Sequence, residues 1–188
     1  MGTHIPTREE SYELLKKYNE TQSLLNHAQA VEAVMRYAAK LKGENVEKWG
    51  AIGLVHDLDY EKYPEIHCQM TKQILEESGW EDEYIRAVLS HGWGTCTEVE
   101  PQTELEKTLF AIDELTGLVT ACALVRPSKS VMDLEVKSVK KKWKEKSFAA
   151  GANREIIQKG ADMLGITLEE LIDMTIKGMR EAATQIGL

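Results

Sequence analysis

From Leu109 to Val125 the chain carries only two charged residues, and they are neighbours, Asp113 and Glu114. A helix this apolar has to be surrounded by other helices. It therefore sets the expectation of an all-α bundle built around one central helix. It also raises a chemical question. One of two adjacent acids can face outward, but hardly both, and a buried carboxylate needs a cation or a proton.

The remaining segments also read as helices. Thr7 with Glu10, Thr103 with Glu106 and Thr167 with Glu170 have capping-box spacing. The first opens a helix to Tyr18, the second a helix from Glu104 to Val125, and the third a helix reaching about Ile186. Between them, helices are expected over Gln22 to Lys42, stopped by Gly43, and over Val46 to Leu58, capped by Asn45. Others are expected over Pro64 to Ser78, Asp82 to Ser90 and Phe148 to Gly165, with Val131, Leu134, Val136 and Val139 spaced loosely as a helix. Gly50 and Gly53, one turn apart, allow close helix approach. Strand-like alternation and internal repeats are absent from the sequence.

Composition narrows the function. At 188 residues the chain suits one domain, or a core with an appendage. Its net charge of −8 argues against general nucleic-acid binding. Residues 126 to 154 are the exception, with nine Lys/Arg against three acids, a local +6 that leaves −14 elsewhere. Arg126, Lys129, Lys146 and Arg154 are the expected contacts to a substrate phosphate, and most of the other lysines form a solvated face. Cys68, Cys96 and Cys122 are scattered, with no Cys-x-x-Cys, which fits a reducing cytoplasm. The N-terminal residues lack an apolar signal region, and Pro6 occupies the place of a myristoylation hydroxyl. The longest uncharged run, Leu115 to Val125, is too short to span a bilayer, so a cytoplasmic protein without membrane contact is expected.

Four of the five histidines fall in an ordered series with two aspartates: His27, His56-Asp57, His67, His91 and Asp113. Any one of them has an ordinary explanation, such as a core histidine bonded to a carbonyl. Together they are hard to assemble by chance, and imidazole with carboxylate suits iron, manganese and zinc.

This series resembles the HD-domain superfamily of metal-dependent phosphohydrolases over roughly residues 20 to 125. The resemblance implies a helical metal-binding core over residues 1–125, with the basic segment and C-terminal helices of 126–188 packed on the same domain. It implies that His27, His56, Asp57 and Asp113 bind a first divalent ion. In dinuclear members Asp57 would bridge, and His67 and His91 would hold a second ion. One or two ions among Fe, Mn, Co, Ni, Zn and Mg are implied. The pattern departs from the family at three points. His56-Asp57-Leu58-Asp59-Tyr60 lacks the usual lysine. His91-Gly92 replaces the histidine pair of cyclic-dinucleotide phosphodiesterases. Glu61 stands one step later than the glutamate some mononuclear nucleotidases use.

The implied function is hydrolysis of a phosphomonoester, such as a nucleotide or a small phosphorylated metabolite, by metal-activated hydroxide. Asp57 is then catalytic, and Asp59 or Glu61 would relay protons. The same series also resembles the mixed-valence di-iron oxygenases on this scaffold. A non-catalytic metal or ligand sensor is the third reading.

Overall fold

The computed structural model describes residues 2–188. The fold is all-α, with nine α-helices among the described residues: α1 Arg8–Tyr18, α2 Gln22–Lys42, α3 Val46–Leu54, α4 Gln69–Glu77, α5 Asp82–Ser90, α6 Glu104–Leu124, α7 Val136–Trp143, α8 Arg154–Leu164 and α9 Leu168–Arg180. The only β-type pairings among those residues are isolated bridges, Gly2 with Glu81, His4 with Trp80 and Trp93 with Thr97. None of the helices is long and apolar enough to cross a membrane.

Helix α6 lies at the centre, against α2, α5, α7, α8 and α9. Leu109, Phe110, Ile112, Leu115, Leu118 and Val119 on it are buried, as its apolar sequence requires. All three capping boxes form, at Thr7/Glu10, Thr103/Glu106 and Thr167/Glu170. Asn45 caps α3 through Lys48 N. Gly43 ends α2 in the left-handed conformation, which glycine adopts without a Cβ penalty.

Small residues set the closest helix contacts. A Cβ at Gly53 would stand 2.9 Å from Met35 Cγ, so α3 lies directly on α2. A Cβ at Gly160 would overlap the Ala111 backbone, which brings α8 hard against α6. Helix α9 closes on α2 in the same way, Gly178 facing Val34 Cα at 2.7 Å from an added Cβ.

Away from the site, α9 ends at Arg180 and not at about Ile186, and α7 begins only at Val136, leaving Val131 and Leu134 outside it. Three more boundaries differ from the sequence expectation beside the site. Helix α3 stops at Leu54 and not at Leu58, and residues 55–62 run on as turns. The expected helix from Pro64 is a single 3₁₀ turn, Pro64–Ile66, after which Cys68 adopts a left-handed φ of +69° before α4 begins. Helix α8 begins at Arg154, where Asn153 caps it through Glu155 N and Ile156 N, and residues 146–151 form turns. Each of these three departures leaves irregular backbone beside the site described next.

Candidate metal centre

The six residues of the His/Asp series come from five separate segments and meet in one place. His27 comes from the first turns of α2 and Asp113 from the middle of α6. His56 and Asp57 lie just past the end of α3, His67 lies between the 3₁₀ turn and α4, and His91 caps α5. They form a quartet and a trio that share one member. His27, His56, Asp57 and Asp113 offer ligand atoms that all lie within 4.8 Å of one another, and so do Asp57, His67 and His91.

The shared member divides its oxygens. Asp57 Oδ2 faces His56 Nε2 at 3.4 Å and His27 Nε2 at 3.7 Å. Its Oδ1 faces His67 Nε2 and His91 Nε2, each at 3.3 Å. Asp113 Oδ1 completes the first group, 3.1 Å from His27 Nε2 and 3.2 Å from His56 Nε2.

All four histidines present Nε2 to the centre because Nδ1 of each is held from behind. His56 Nδ1 donates to Gly53 O at 2.8 Å and His91 Nδ1 to Val88 O at 2.6 Å. His67 Nδ1 donates to Asp59 Oδ1 at 2.6 Å. Thr116 Oγ1 donates to Asp113 O at 2.6 Å and stands 3.4 Å from His27 Nδ1, placed to accept from it. These partners assign the tautomers, leaving the Nε2 lone pairs free. Such outer partners are how proteins fix metal-ligating imidazoles.

The electrostatics call for positive charge at the centre. His27 Nε2 and His56 Nε2 stand 3.2 Å apart, as acceptors facing acceptors unless one ring is protonated. Burial opposes charge on His56, but the Asp57 and Asp113 carboxylates outweigh it and hold its pKa well above the ordinary imidazole value. Burial works against ionised Asp57 too, yet His56 and His91 hold its carboxyl well below the usual range. Asp113 is depressed in the same way by His56 and His27. A divalent cation satisfies every one of these groups at once, and the imidazole–carboxylate donor set suits Fe, Mn, Co, Ni or Zn better than Mg. The residues present therefore fit one or two metal ions.

The centre forms one wall of a cavity of about 550 Å³. Tyr60, Gly92, Thr95, Cys96, Phe110 and Glu114 share the lining, with Leu24, Ala149, Gly151, Ala152 and Ile156. Tyr60 sets its ring edge-on to His67, centroids 5.3 Å apart. Glu114, half-buried, accepts from Asn153 N at 3.2 Å. Burial raises its pKa, and the neighbouring Asp113 adds to the rise.

Other residues expected at the site lie elsewhere. Asp59 is fully buried and does not line the cavity. It accepts from His67 and, at 2.8 Å, from Thr71 N. Glu61 accepts from Glu20 N at 2.7 Å and from Thr21 N and Oγ1, capping the start of α2. Neither is placed to relay a proton at the cavity. None of the four expected phosphate contacts lines it. Arg126 makes a two-pronged pair with Asp133 on the surface, at 3.1 and 2.9 Å. Lys129 and Lys146 are exposed and away from it. Arg154 donates to the carbonyls of Phe148, Ala149 and Ala152, and so shapes the cavity's far wall from outside. The cations were read from local charge density, whereas their partners are set by the tertiary fold.

Sequence reasoning missed Thr116, although it lies one helical turn after Asp113, the place to look for a residue supporting that face. It also missed the pairing of Cys68 with Cys96, whose sulfurs are bonded as a disulfide across 28 residues, with Cα atoms 6.2 Å apart. Scattered spacing hides such a pair.

The chain is 29% identical over 141 residues to Ribonuclease Y of Thermotoga petrophila, and equally to Ribonuclease Y of Thermotoga maritima. The match takes in 72% of this chain but 27% of each relative, so the chain spans about a quarter of their length. No protein-family model matches the chain. No solved structure matches it either.

Proposed function

We propose that this chain hydrolyses a phosphoester of a nucleotide-sized molecule, using two divalent cations held by the paired groups that share Asp57. The observation that carries the reading is the division of Asp57, one carboxylate oxygen toward each group. Bound there, such cations would supply Lewis acidity, lowering the pKa of a coordinated water and offsetting charge on the phosphoester. His27, His56 and Asp113 complete one set of ligands, and His67 and His91 the other. The backing groups on each Nδ1 hold the rings in place, so little reorganisation is needed when a cation arrives.

The cavity supports a small substrate. Its volume falls in the range of small-molecule sites, and Leu24, Phe110, Ala152 and Ile156 give it apolar walls. Among the described residues no Lys or Arg lines it, so the negative charge of a phosphate falls to the cations themselves. The net charge of −8 also disfavours a long nucleic-acid tract. The likeness to proteins named as ribonucleases supports phosphoester chemistry, and the proposed substrates therefore include phosphodiesters beside phosphomonoesters.

A second reading has one specific observation in its favour. All six ligand side chains converge, which is the set a di-iron oxygenase needs. The experiment that separates them loads the metal-free protein with Mn²⁺ under nitrogen. Nucleoside monophosphates, cyclic nucleotides, bis(p-nitrophenyl) phosphate and a short RNA are then offered. Hydrolysis without oxygen, lost in Asp57→Ala, is the expected result. No hydrolysis with Mn²⁺, Co²⁺ or Mg²⁺, together with a mixed-valence di-iron resonance in iron-loaded protein, would overturn it in favour of the oxygenase.

A further inference from the structure

The two histidines of the second group are each followed closely by one half of a sulfur pair. Cys68 comes directly after His67. Cys96 belongs to the turn that follows His91, whose backbone folds onto one carbonyl: Cys96 N donates to Gly92 O at 2.9 Å and Thr97 N at 3.1 Å. Gly92 lies beneath both sulfurs. A Cβ there would overlap Cys96 Sγ and stand 2.9 Å from Cys68 Sγ. The pair therefore ties the segment carrying His67 to the segment carrying His91, with the intervening glycine cut to fit.

The two ends differ in access. Cys68 is fully buried, whereas Cys96 is partly exposed and lines the cavity. Cys68 also holds a positive φ of +69°, a conformation that residues other than glycine rarely adopt. The remaining cysteine, Cys122, is buried away from the pair. One accessible and one shielded sulfur, adjacent in space, are the arrangement for attack followed by resolution.

We propose that Cys68 and Cys96 form a site of reversible oxidation by a low-molecular-weight disulfide, and that closing it fixes the Asp57/His67/His91 group for its cation. The second half rests on the two-cation reading above. In the forward direction Cys96 Sγ, as thiolate, attacks one sulfur of the small disulfide. That S–S bond breaks, and the first small thiolate leaves and takes up the proton Cys96 gave. Cys68 Sγ then attacks the Cys96 sulfur, expels the second small thiolate, and its own proton goes to that group. Two protein thiols are oxidised and one small disulfide is reduced to two thiols, a transfer of two electrons. When the bond opens, two unbonded sulfurs can no longer remain at bonding distance above Gly92. The turn at Cys96 and the segment at Cys68 must separate, and His67 moves with the latter.

The test equilibrates the full metal-free chain in glutathione and glutathione disulfide at a series of ratios. Free thiols are trapped with a maleimide and counted by mass, and Mn²⁺ binding is titrated at each ratio. Two thiols should disappear together as the ratio turns oxidising, while Cys122 stays constant. Over the same range the second Mn²⁺ should bind on the order of tenfold tighter, the scale of losing or gaining an orienting constraint on a ligand, and the first should not change. Cys96→Ser, which changes a partly exposed position, should bind the second Mn²⁺ like reduced wild type at every ratio. Thiols that never convert, or that convert while both Mn²⁺ bind equally, would overturn the proposal. So would Cys96→Ser metal binding that still follows the glutathione ratio. Absence of Mn²⁺ binding in both states would instead overturn the two-cation reading, and with it the coupling.

Discussion

Asp59 offers the sharpest test of how the site is held. Its carboxylate is completely buried and accepts from two donors, His67 Nδ1 at 2.6 Å and Thr71 N at 2.8 Å. Asp59→Asn keeps the shape but turns one acceptor into an NH₂ that faces a donor. One buried donor is then left unpaired, at a cost of ~1–3 kcal/mol. At ~2–4 °C per kcal/mol for a chain of this size, Tm of the metal-free protein should fall by roughly 2–12 °C. The larger consequence concerns metal. Loss of a ligand's orienting partner weakens metal affinity about 10–100-fold, or ~1.4–2.7 kcal/mol. Calorimetric titration with Mn²⁺ should show the stronger event unchanged and the weaker one, at His67 and His91, reduced by that factor. A variant with both events intact but slower turnover would refute the reasoning and return Asp59 to proton transfer. Loss of both events would refute the independence of the two groups.

Asp57→Ala should abolish essentially all metal binding because both groups share it, while His67→Ala removes about one equivalent, as read by elemental analysis after dialysis. Arg154→Ala should lower Tm by several degrees, since its bonds to three carbonyls contribute about 2 kcal/mol or more, and Arg126→Ala and Lys141→Ala should leave substrate affinity and Tm nearly unchanged. A raised KM for Arg126→Ala with normal Tm would restore the phosphate-contact role. For pH, the carboxylates raise His56 in the folded chain against the opposing effect of burial. The resulting stability is complete below the unfolded value of ~6.5 and is lost as pH climbs through the folded one. Because a cation replaces that proton, the Tm gain from saturating Mn²⁺ should grow with pH above ~6.5 as metal-free Tm declines. A gain that stays flat would contradict the assigned protonation.

Much of this molecule is legible in its sequence. The capping boxes at Thr7, Thr103 and Thr167 and the left-handed stop at Gly43 are local devices, so their residues announce them. The convergence of the six His and Asp side chains is legible only as an ordered series, since no spacing rule places His27 against Asp113. Periodicity failed where the site itself bends the chain. Val46 onward has helical apolar spacing, yet the helix ends at Leu54 so that His56 can turn inward and donate to Gly53 O. Pro64 to Ser78 reads as one helix, yet it breaks at His67 and Cys68. The basic stretch was misread for a different reason. Charge density predicts a field, and Arg154 is spent on the carbonyls of its own loop.

The lining without Lys or Arg has a consequence for the order of assembly. Asp57, Asp113 and Glu114 bring carboxylates to the cavity lining, and no Lys or Arg there offsets them. On the two-cation reading proposed above, loading would raise the positive charge of the chamber, so metal would precede substrate, and the metal-free protein would hold phosphates poorly. A chelator would then do more than slow the reaction. It would turn the same pocket from an anion receptor into an anion excluder, making substrate retention itself a gauge of metal supply.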